Sequence, residues 1–415
     1  MKNDFEVEAT PVEKSVKWST ISIIYMGMAI TLPMFYAVGN VGLSLGFNFG
    51  FLALILSVLC LGFIGAFTGY VGAKTRLSTY MITSISFGTK LSKVINILMT
   101  IVLLAWYSLT LTYFGESVKN FLIHQYNIDI SINLLILIGG VIIAGSVLHG
   151  FSGISKLSWL TIPFLLILLY AMAINAIYKN SVDSIFNYMG NNSLSFGASI
   201  SALIGSFICG VSILPDVSRY AKTPEDGILG GMGGFIGGQF IVGIPCLFIS
   251  VLYSDNEFIK NAIAFSPIIA FAILILATWT TNDNNIYSST LSINAVFKNI
   301  NRNIIIVILG ILGIILACLD IIKYFIPFIS LLAVIFPSIA IINVIDYFIN
   351  EKNYLNYKDY KNDINYKALI AWLIGNCVAL ITYFKVINIT TVPAIDGLIF
   401  SALLYIIMMK NRKVK

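Results

Sequence analysis

Charge is what this sequence has least of. Of its 415 residues, 11% are Asp, Glu, Lys or Arg, against roughly 25% in soluble domains. With 58% hydrophobic residues, the chain reads as an integral membrane protein. The net charge of +6 does not point to nucleic acid, because the basic residues sit between apolar runs, where they set orientation. Histidine is nearly absent: His124 and His149 are the two in the chain, and they fall on opposite sides of the expected membrane. No nucleophile–His–acid set or metal-ligand cluster can be assembled, so the expectation is that the protein is not an enzyme. The five cysteines, Cys60, Cys209, Cys246, Cys318 and Cys377, lack CxxC spacing and lie in apolar runs, which excludes a disulfide framework or zinc site. The opening "MKNDFEVEATPVEKSVKW" lacks the basic-then-apolar order of a signal peptide and reads as a cytoplasmic tail. Between Lys17 and Lys74 there is no acid, so an amine carrier with a carboxylate in its first span is disfavoured.

What is present is a series of apolar runs long enough to span a bilayer, which takes about 20 residues. Twelve candidates occur, at about 18–45, 50–73, 94–115, 131–149, 157–178, 197–219, 228–253, 262–296, 303–319, 324–347, 366–384 and 393–409. With the N-terminus placed in the cytoplasm, twenty of the 25 Lys and Arg fall on the cytoplasmic side, leaving Lys119, Lys179, Lys260, Lys323 and Lys385 outside. This bias obeys the positive-inside rule and puts both termini in the cytoplasm.

Two spans carry helix breakers near their middles: "GMAITLPMFYAVGNVG" in the first and "GSFICGVSILPDVSR" in the sixth. Interruptions at matching places five helices apart point to a site between inverted repeats. Backbone groups freed by such breaks are tolerable where they face a cavity, an ion or a substrate. The glycines of the seventh span, "GILGGMGGFIGGQFIVGIP", read as a close-packing face. "GYVGAKT" has the wrong spacing for a phosphate loop.

The central portions of spans one, three, six and eight contain no Lys, Arg or Glu. Their polar and aromatic inventory, including Trp106, Tyr107, Ser206, Phe207, Asn282 and Asn284, suits a neutral planar molecule. Rings clamp its faces and amides read donors and acceptors on its edge. In span eight, "TWTTNDNN" (278–285) concentrates polar groups. Helical spacing gathers Ala277, Thr280 and Thr281 on one patch, a carbonyl and two hydroxyls of the kind that suit a hard cation such as Na⁺. Asn282 lies beside that patch, where it can face substrate. Asp283 reads either as a participant in coupling or proton linkage, or as an acid facing the cytoplasmic vestibule and bonded to nearby Asn and Tyr287. The latter is favoured.

At "WTTNDNNIYSS", "GYVGAKTRLSTYMITSISFG" and "GSFICGVSILPDVSRY" the chain resembles the bacterial cytosine permeases of the nucleobase:cation symporter-1 family, over about Val16 to Lys410. The resemblance implies an all-α membrane protein of twelve helices in a five-plus-five inverted-repeat (LeuT-like) fold, with helices 1 and 6 broken. It implies a tail over 1–17, a core over 18–348 made of repeats at about 18–178 and 197–348, and a loop over 349–365. Two additional helices over 366–409 and a tail over 410–415 follow. By the same resemblance, Trp106 and Phe207 sandwich a pyrimidine, and Ser206, Asn282 and the Gly27 backbone bind its edge. Na⁺ sits among the Gly27, Ile30 and Ala277 carbonyls and the Thr280 and Thr281 hydroxyls. The implied activity is import of cytosine across the bacterial inner membrane by Na⁺-coupled symport with alternating access. No nucleic acid, organic cofactor or obligate protein partner is expected. Two departures touch the pocket: Cys209 stands where the family's cytosine transporters carry serine, and "AITLPMFY" replaces a Phe-rich stretch and adds Pro33. They leave open hydantoin, allantoin, a purine or a thiamine-precursor pyrimidine as the substrate; separately, a proton is the alternative coupling ion.

Overall fold

The computed structural model describes residues 8–180, 182–255, 258–297, 299–319, 321–360, 362–387 and 389–410. Of the two expected tails, 1–7 and 411–415 lie outside the described residues. The described chain is all helical, apart from one isolated bridge. In order the helices are α1 (Trp18–Ala29), α2 (Leu32–Thr75), α3 (Thr79–Ser86), α4 (Thr89–Tyr126), α5 (Ile132–Ser146), α6 (Gly150–Lys179), α7 (Val182–Asn187), α8 (Phe196–Ser212) and α9 (Pro215–Ser218). They continue with α10 (Pro224–Met232), α11 (Gly238–Tyr253), α12 (Phe258–Phe265), α13 (Pro267–Val296), α14 (Arg302–Cys318), α15 (Phe325–Leu355), α16 (Tyr366–Tyr383) and α17 (Pro393–Lys410). Among the described residues, nine helices are long and apolar enough to cross a membrane.

Several boundaries have simple physical causes. The expected first and second spans join in α2, which bends at Gly46 (φ 70°), a conformation open to a residue without Cβ. A Cβ there would also run into the Tyr188 carbonyl oxygen. The expected eighth span is divided: α12 ends at Phe265, and Pro267 begins α13, since proline suits a first helical turn but not an interior. Between α10 and α11, Gly233–Gly237 form a π-helical stretch. Here the glycines do bring helices together. Gly230 lies against Ile21, Gly234 against Tyr25, and Gly227 and Gly69 meet backbone to backbone.

Burial divides the helices by role. Nearly all of α8 is enclosed, in contact with α2 and α15, while α13 packs chiefly on α4. By contrast α14 exposes a stripe of Ile304, Val307, Ile308, Ile311, Leu312 and Ile315. The opposite stripe, Ile305, Ile306, Leu309, Gly310 and Gly313, is buried. A helix apolar on both faces suits a bundle whose outer solvent is lipid.

The N-terminal segment is tied down at the end of α2. The Arg76 guanidinium donates to the carbonyls of Thr10 (2.5 Å) and Pro11 (2.8 Å) and to Ser15 Oγ (3.0 Å). Val16 and Lys222 complete a short backbone pairing beside it, with the Val16 amide on the Tyr220 carbonyl (2.7 Å) and the Lys222 amide on the Val16 carbonyl (3.0 Å).

Candidate substrate and ion site

The helix stops at Ala29 because Ile30 (ψ 78°) and Thr31 (ψ 151°) leave helical backbone. The Ile30 amide still bonds to the Met26 carbonyl, but the Thr31 amide turns to Ala29. In an unbroken helix that amide would bond to Gly27. The Gly27 carbonyl is therefore released by the helix. Thr31 restarts the chain as an N-cap, its hydroxyl accepting from the Met34 amide (3.3 Å), with Pro33 in the first turn.

The released carbonyl faces α13. Thr280 Oγ lies 3.5 Å from the Gly27 oxygen and 3.2 Å from that of Ala277. Thr281 Oγ lies 3.4 Å from Gly27 O and 3.0 Å from Ala277 O. Four oxygens from two helices thus converge within the protein interior. Oxygen ligands about 2.4 Å from a hard cation at right angles to each other stand about 3.4 Å apart, so the spacing fits a small hard cation. None of the four groups is charged, which favours a monovalent ion over a divalent one. Among the described residues, no three His, Cys, Asp or Glu gather as a metal site. Ile30 sits at the break itself.

Beside this patch is an internal cavity lined by α1, the α1–α2 break and residues of α2, α4, α8 and α13. Of the residues expected to bind substrate, Trp106, Ser206, Phe207 and Cys209 line it. Thr281, expected at the ion, lines it too. Met28, Thr31, Met34 and Asn285 complete much of the wall, and sequence reasoning missed them. A signal was available for Asn285, which lies one helical turn beyond Thr281. Trp106 is held edge-on by Phe325 and Phe328, with ring centroids 6.2 and 5.2 Å away. The cavity is only about 30 Å³, room for one or two waters. Admitting a planar ring requires the surrounding helices to separate.

Other expected residues sit elsewhere: Gly27 is not on the cavity wall, Tyr107 donates to the Gly140 carbonyl (3.0 Å) and Asn284 to the Thr280 carbonyl (3.0 Å). Asn282 is buried behind the wall, its Oδ1 accepting from Thr110 Oγ (2.6 Å) and Asn285 Nδ2 (3.2 Å). Asp283 points away from the cavity. Only 2% exposed, its Oδ1 accepts from Ser146 Oγ at 2.5 Å, and Ser146 Oγ in turn accepts the Trp279 indole N–H at 3.0 Å. The expectation that Asp283 faces a vestibule beside Asn and Tyr287 is thereby corrected. Residues 279 and 283 are one turn apart and share the α5 face of α13, opposite the ion patch. Tyr287 instead accepts from Arg219 Nη2 (3.3 Å).

Comparisons with known proteins bear on the family and the fold. A family described as permeases for cytosine/purines, uracil, thiamine and allantoin matches residues 10–403. The cytosine permeases of Escherichia coli K12 and O157:H7 are 25% identical over 383 residues, covering 90% of this chain and 89% of theirs. Among solved structures, Mhp1, a nucleobase-cation-symport-1 family transporter closed around bromovinylhydantoin, superposes with a TM-score of 0.79 at 18% identity, covering 95% of this chain and 92% of its own. A Na⁺-coupled sialic acid symporter in its outward-open state has the same architecture more distantly, with a TM-score of 0.66 at 10% identity over 95% of this chain and 90% of its own. With a match extending over nearly the whole sequence, this chain belongs to the family of permeases for cytosine/purines, uracil, thiamine and allantoin.

Proposed function

We propose that this permease is a secondary transporter that imports cytosine, or a close nucleobase, by Na⁺-coupled symport with alternating access. The observation that carries the reading is the double position of Thr281. Its hydroxyl reaches the Gly27 and Ala277 carbonyls, and the same side chain lines the cavity with Trp106, Ser206, Phe207 and Cys209. One residue thus adjoins the cation and the base. Na⁺ bound among Gly27, Ile30, Ala277, Thr280 and Thr281 draws α1 and α13 together and fixes one wall of the cavity in the outward-open arrangement. Base affinity rises accordingly, and by linkage the base raises Na⁺ affinity equally. Trp106 and Phe207 bind the faces of the ring. Ser206 and Cys209 serve its edge from the wall, with Asn282 acting from behind it through Asn285 and the Gly27 backbone at the break beside it. Cytosine is neutral, in keeping with a cavity wall that carries no charged side chain.

The reading includes twelve spans in two inverted five-helix repeats, with α2 counted as two spans divided at Gly46 and the less apolar α13 and shorter α14 both crossing. The interruptions at 30–31 and 213–214 are then the equivalent breaks of the first and sixth spans. The bacterial inner membrane, with both termini cytoplasmic, is the location that the Lys and Arg bias supports.

Cys209 supports a second reading. A thiol is a weaker donor and acceptor than a hydroxyl, which relaxes the demand for a strongly polar edge. The substrate in that reading is another neutral heterocycle such as hydantoin, allantoin, a purine or a thiamine-precursor pyrimidine, driven by protons through Asp283. Counterflow of labelled cytosine into proteoliposomes decides between them. Uptake driven by internal cytosine, and abolished when choline replaces Na⁺ at fixed pH, is the expected result. No uptake rejects cytosine, and uptake indifferent to choline rejects Na⁺.

A further inference from the structure

Behind the cavity wall runs a short chain of side-chain hydrogen bonds, from Thr110 on α4 through Asn282 to Asn285 on α13. Thr110 Oγ is 2.6 Å from Asn282 Oδ1. That distance is ordinary for O–H···O but short for N–H···O, whose usual separation is about 2.9–3.0 Å. It identifies the Asn282 atom facing Thr110 as its carbonyl oxygen and the Thr110 hydroxyl as the donor, although the Trp106 and Tyr107 carbonyls are also in reach at 2.9 and 3.0 Å. The same Asn282 oxygen takes a second bond from Asn285 Nδ2 at 3.2 Å. Asn282 Nδ2 is buried without a partner.

The consequence appears at Asn285, the one member of the chain that lines the cavity. Its amide nitrogen is committed inward to Asn282, which leaves its Oδ1 to face the cavity. Left alone, two adjacent amides rotate in concert, Asn282 Nδ2 then donating to Asn285 Oδ1 and the Asn285 nitrogen facing the cavity instead. The wall would present a donor rather than an acceptor. The Thr110 hydroxyl favours the first polarity, because in the reversed one an amide nitrogen would have to sit 2.6 Å from its oxygen.

We infer that Thr110 is a positioning residue for specificity, its hydroxyl holding the Asn282–Asn285 pair so that the cavity displays the Asn285 carbonyl oxygen and selects amino-bearing heterocycles over their oxo analogues. Cytosine and uracil have nearly the same shape but opposite polarity at ring position 4 and N3: amino donor with acceptor against oxo acceptor with donor. Shape cannot separate such isosteres. A fixed hydrogen-bonding group can, since the wrong partner leaves a buried polar group unpaired. The inference rests on the nucleobase reading proposed above.

The test uses the full-length protein in detergent and measures thermal stabilisation by amino/oxo pairs, cytosine against uracil and adenine against hypoxanthine. Cytosine counterflow and its Na⁺ half-saturation are measured in proteoliposomes alongside. The wild type is expected to prefer the amino member by about tenfold or more. Thr110→Val should collapse that preference by about tenfold with Na⁺ half-saturation unchanged, and Thr110→Ser should restore it. If the valine variant does not fold, Thr110→Ala takes its place. An unchanged amino/oxo ratio in the variants lacking the hydroxyl overturns the inference, as does a serine variant that loses the preference equally. A wild type that transports cytosine but shows an unmoved ratio in Thr110→Val sinks this inference alone. A wild type stabilised by none of the four bases sinks it together with the nucleobase reading.

Discussion

The two interruptions in the enclosed helices look alike in sequence, each a helix with glycines and a following proline, yet they are built differently. At Ile30–Thr31 the backbone becomes extended, and the Gly27 carbonyl loses its helical partner to the hydroxyls of α13. At Ile213–Leu214 the chain hardly leaves the helix. Ile213 (φ −94°, ψ 5°) and Leu214 (φ −52°, ψ −34°) stay in or near the helical region. The Ile213 amide bonds to the Cys209 carbonyl, that of Leu214 to Val211, that of Asp216 to Ile213 and that of Ser218 to Leu214. The polar side chains nearby are committed as well. Asp216 Oδ1 accepts from the Thr79 amide (2.9 Å) at the start of α3, and Arg219 Nε donates to the Asp216 carbonyl (3.1 Å). The first break leaves oxygens of two helices converging on one point. The second anchors the helix end to its neighbours. Prolines mark a restart in both, and what lies opposite decides whether the freed groups serve a ligand or the fold.

Substitutions can break this contrast. The largest effect is expected from Asp216→Ala, which leaves Arg219 buried without the acid beside it. The substitution also removes the carboxylate that accepts the buried Thr79 amide; losing a hydrogen bond to a charged group and leaving its buried donor unpaired costs about 3 kcal/mol or more, so most folded protein should be lost, read as recovery of a monodisperse species and its melting temperature. A variant that melts like the wild type would remove the anchoring role of the second break. Next comes Thr281→Ala. Losing one hydroxyl bond to a charged group costs about 1.5–3 kcal/mol. The Na⁺ concentration for half-maximal cytosine uptake should therefore rise about 10- to 100-fold while the apoprotein melts normally. An unmoved Na⁺ requirement would assign that hydroxyl to helix back-bonding alone. The smallest effect belongs to Thr31→Ala, which removes the cap that restarts the helix after the first break. A cap is worth about 1 kcal/mol, seen as a modest drop in melting temperature. The second break has no side-chain cap, so Leu214→Ala offers no equivalent loss.

Much of this could be read in the sequence because lipid leaves the chain few choices. The apolar runs had to be helices, and most of their positions agree with those found; Gly46 bends α2, Pro267 divides α12 from α13, a π-helical stretch interrupts the seventh span, and α15 continues to Leu355, into the loop expected over 349–365. Helical spacing alone grouped Ala277, Thr280 and Thr281, and in the fold these three do share one patch. Spacing was silent on what each face meets. Asn282 and Asn285 lie on the same side of α13, and the position of Thr110, 172 residues away in sequence, turns one inward and leaves the other at the cavity. Asp283 offered no local sign of its partner, because Ser146 belongs to another helix. Composition and period thus determined the helices and which residues travel together on each, since both are properties of the local backbone. Tertiary structure decided which carbonyl the Thr280 and Thr281 hydroxyls meet, which asparagine faces the cavity and which acid turns away from it, because a hydrogen bond between helices is fixed only by how they pack.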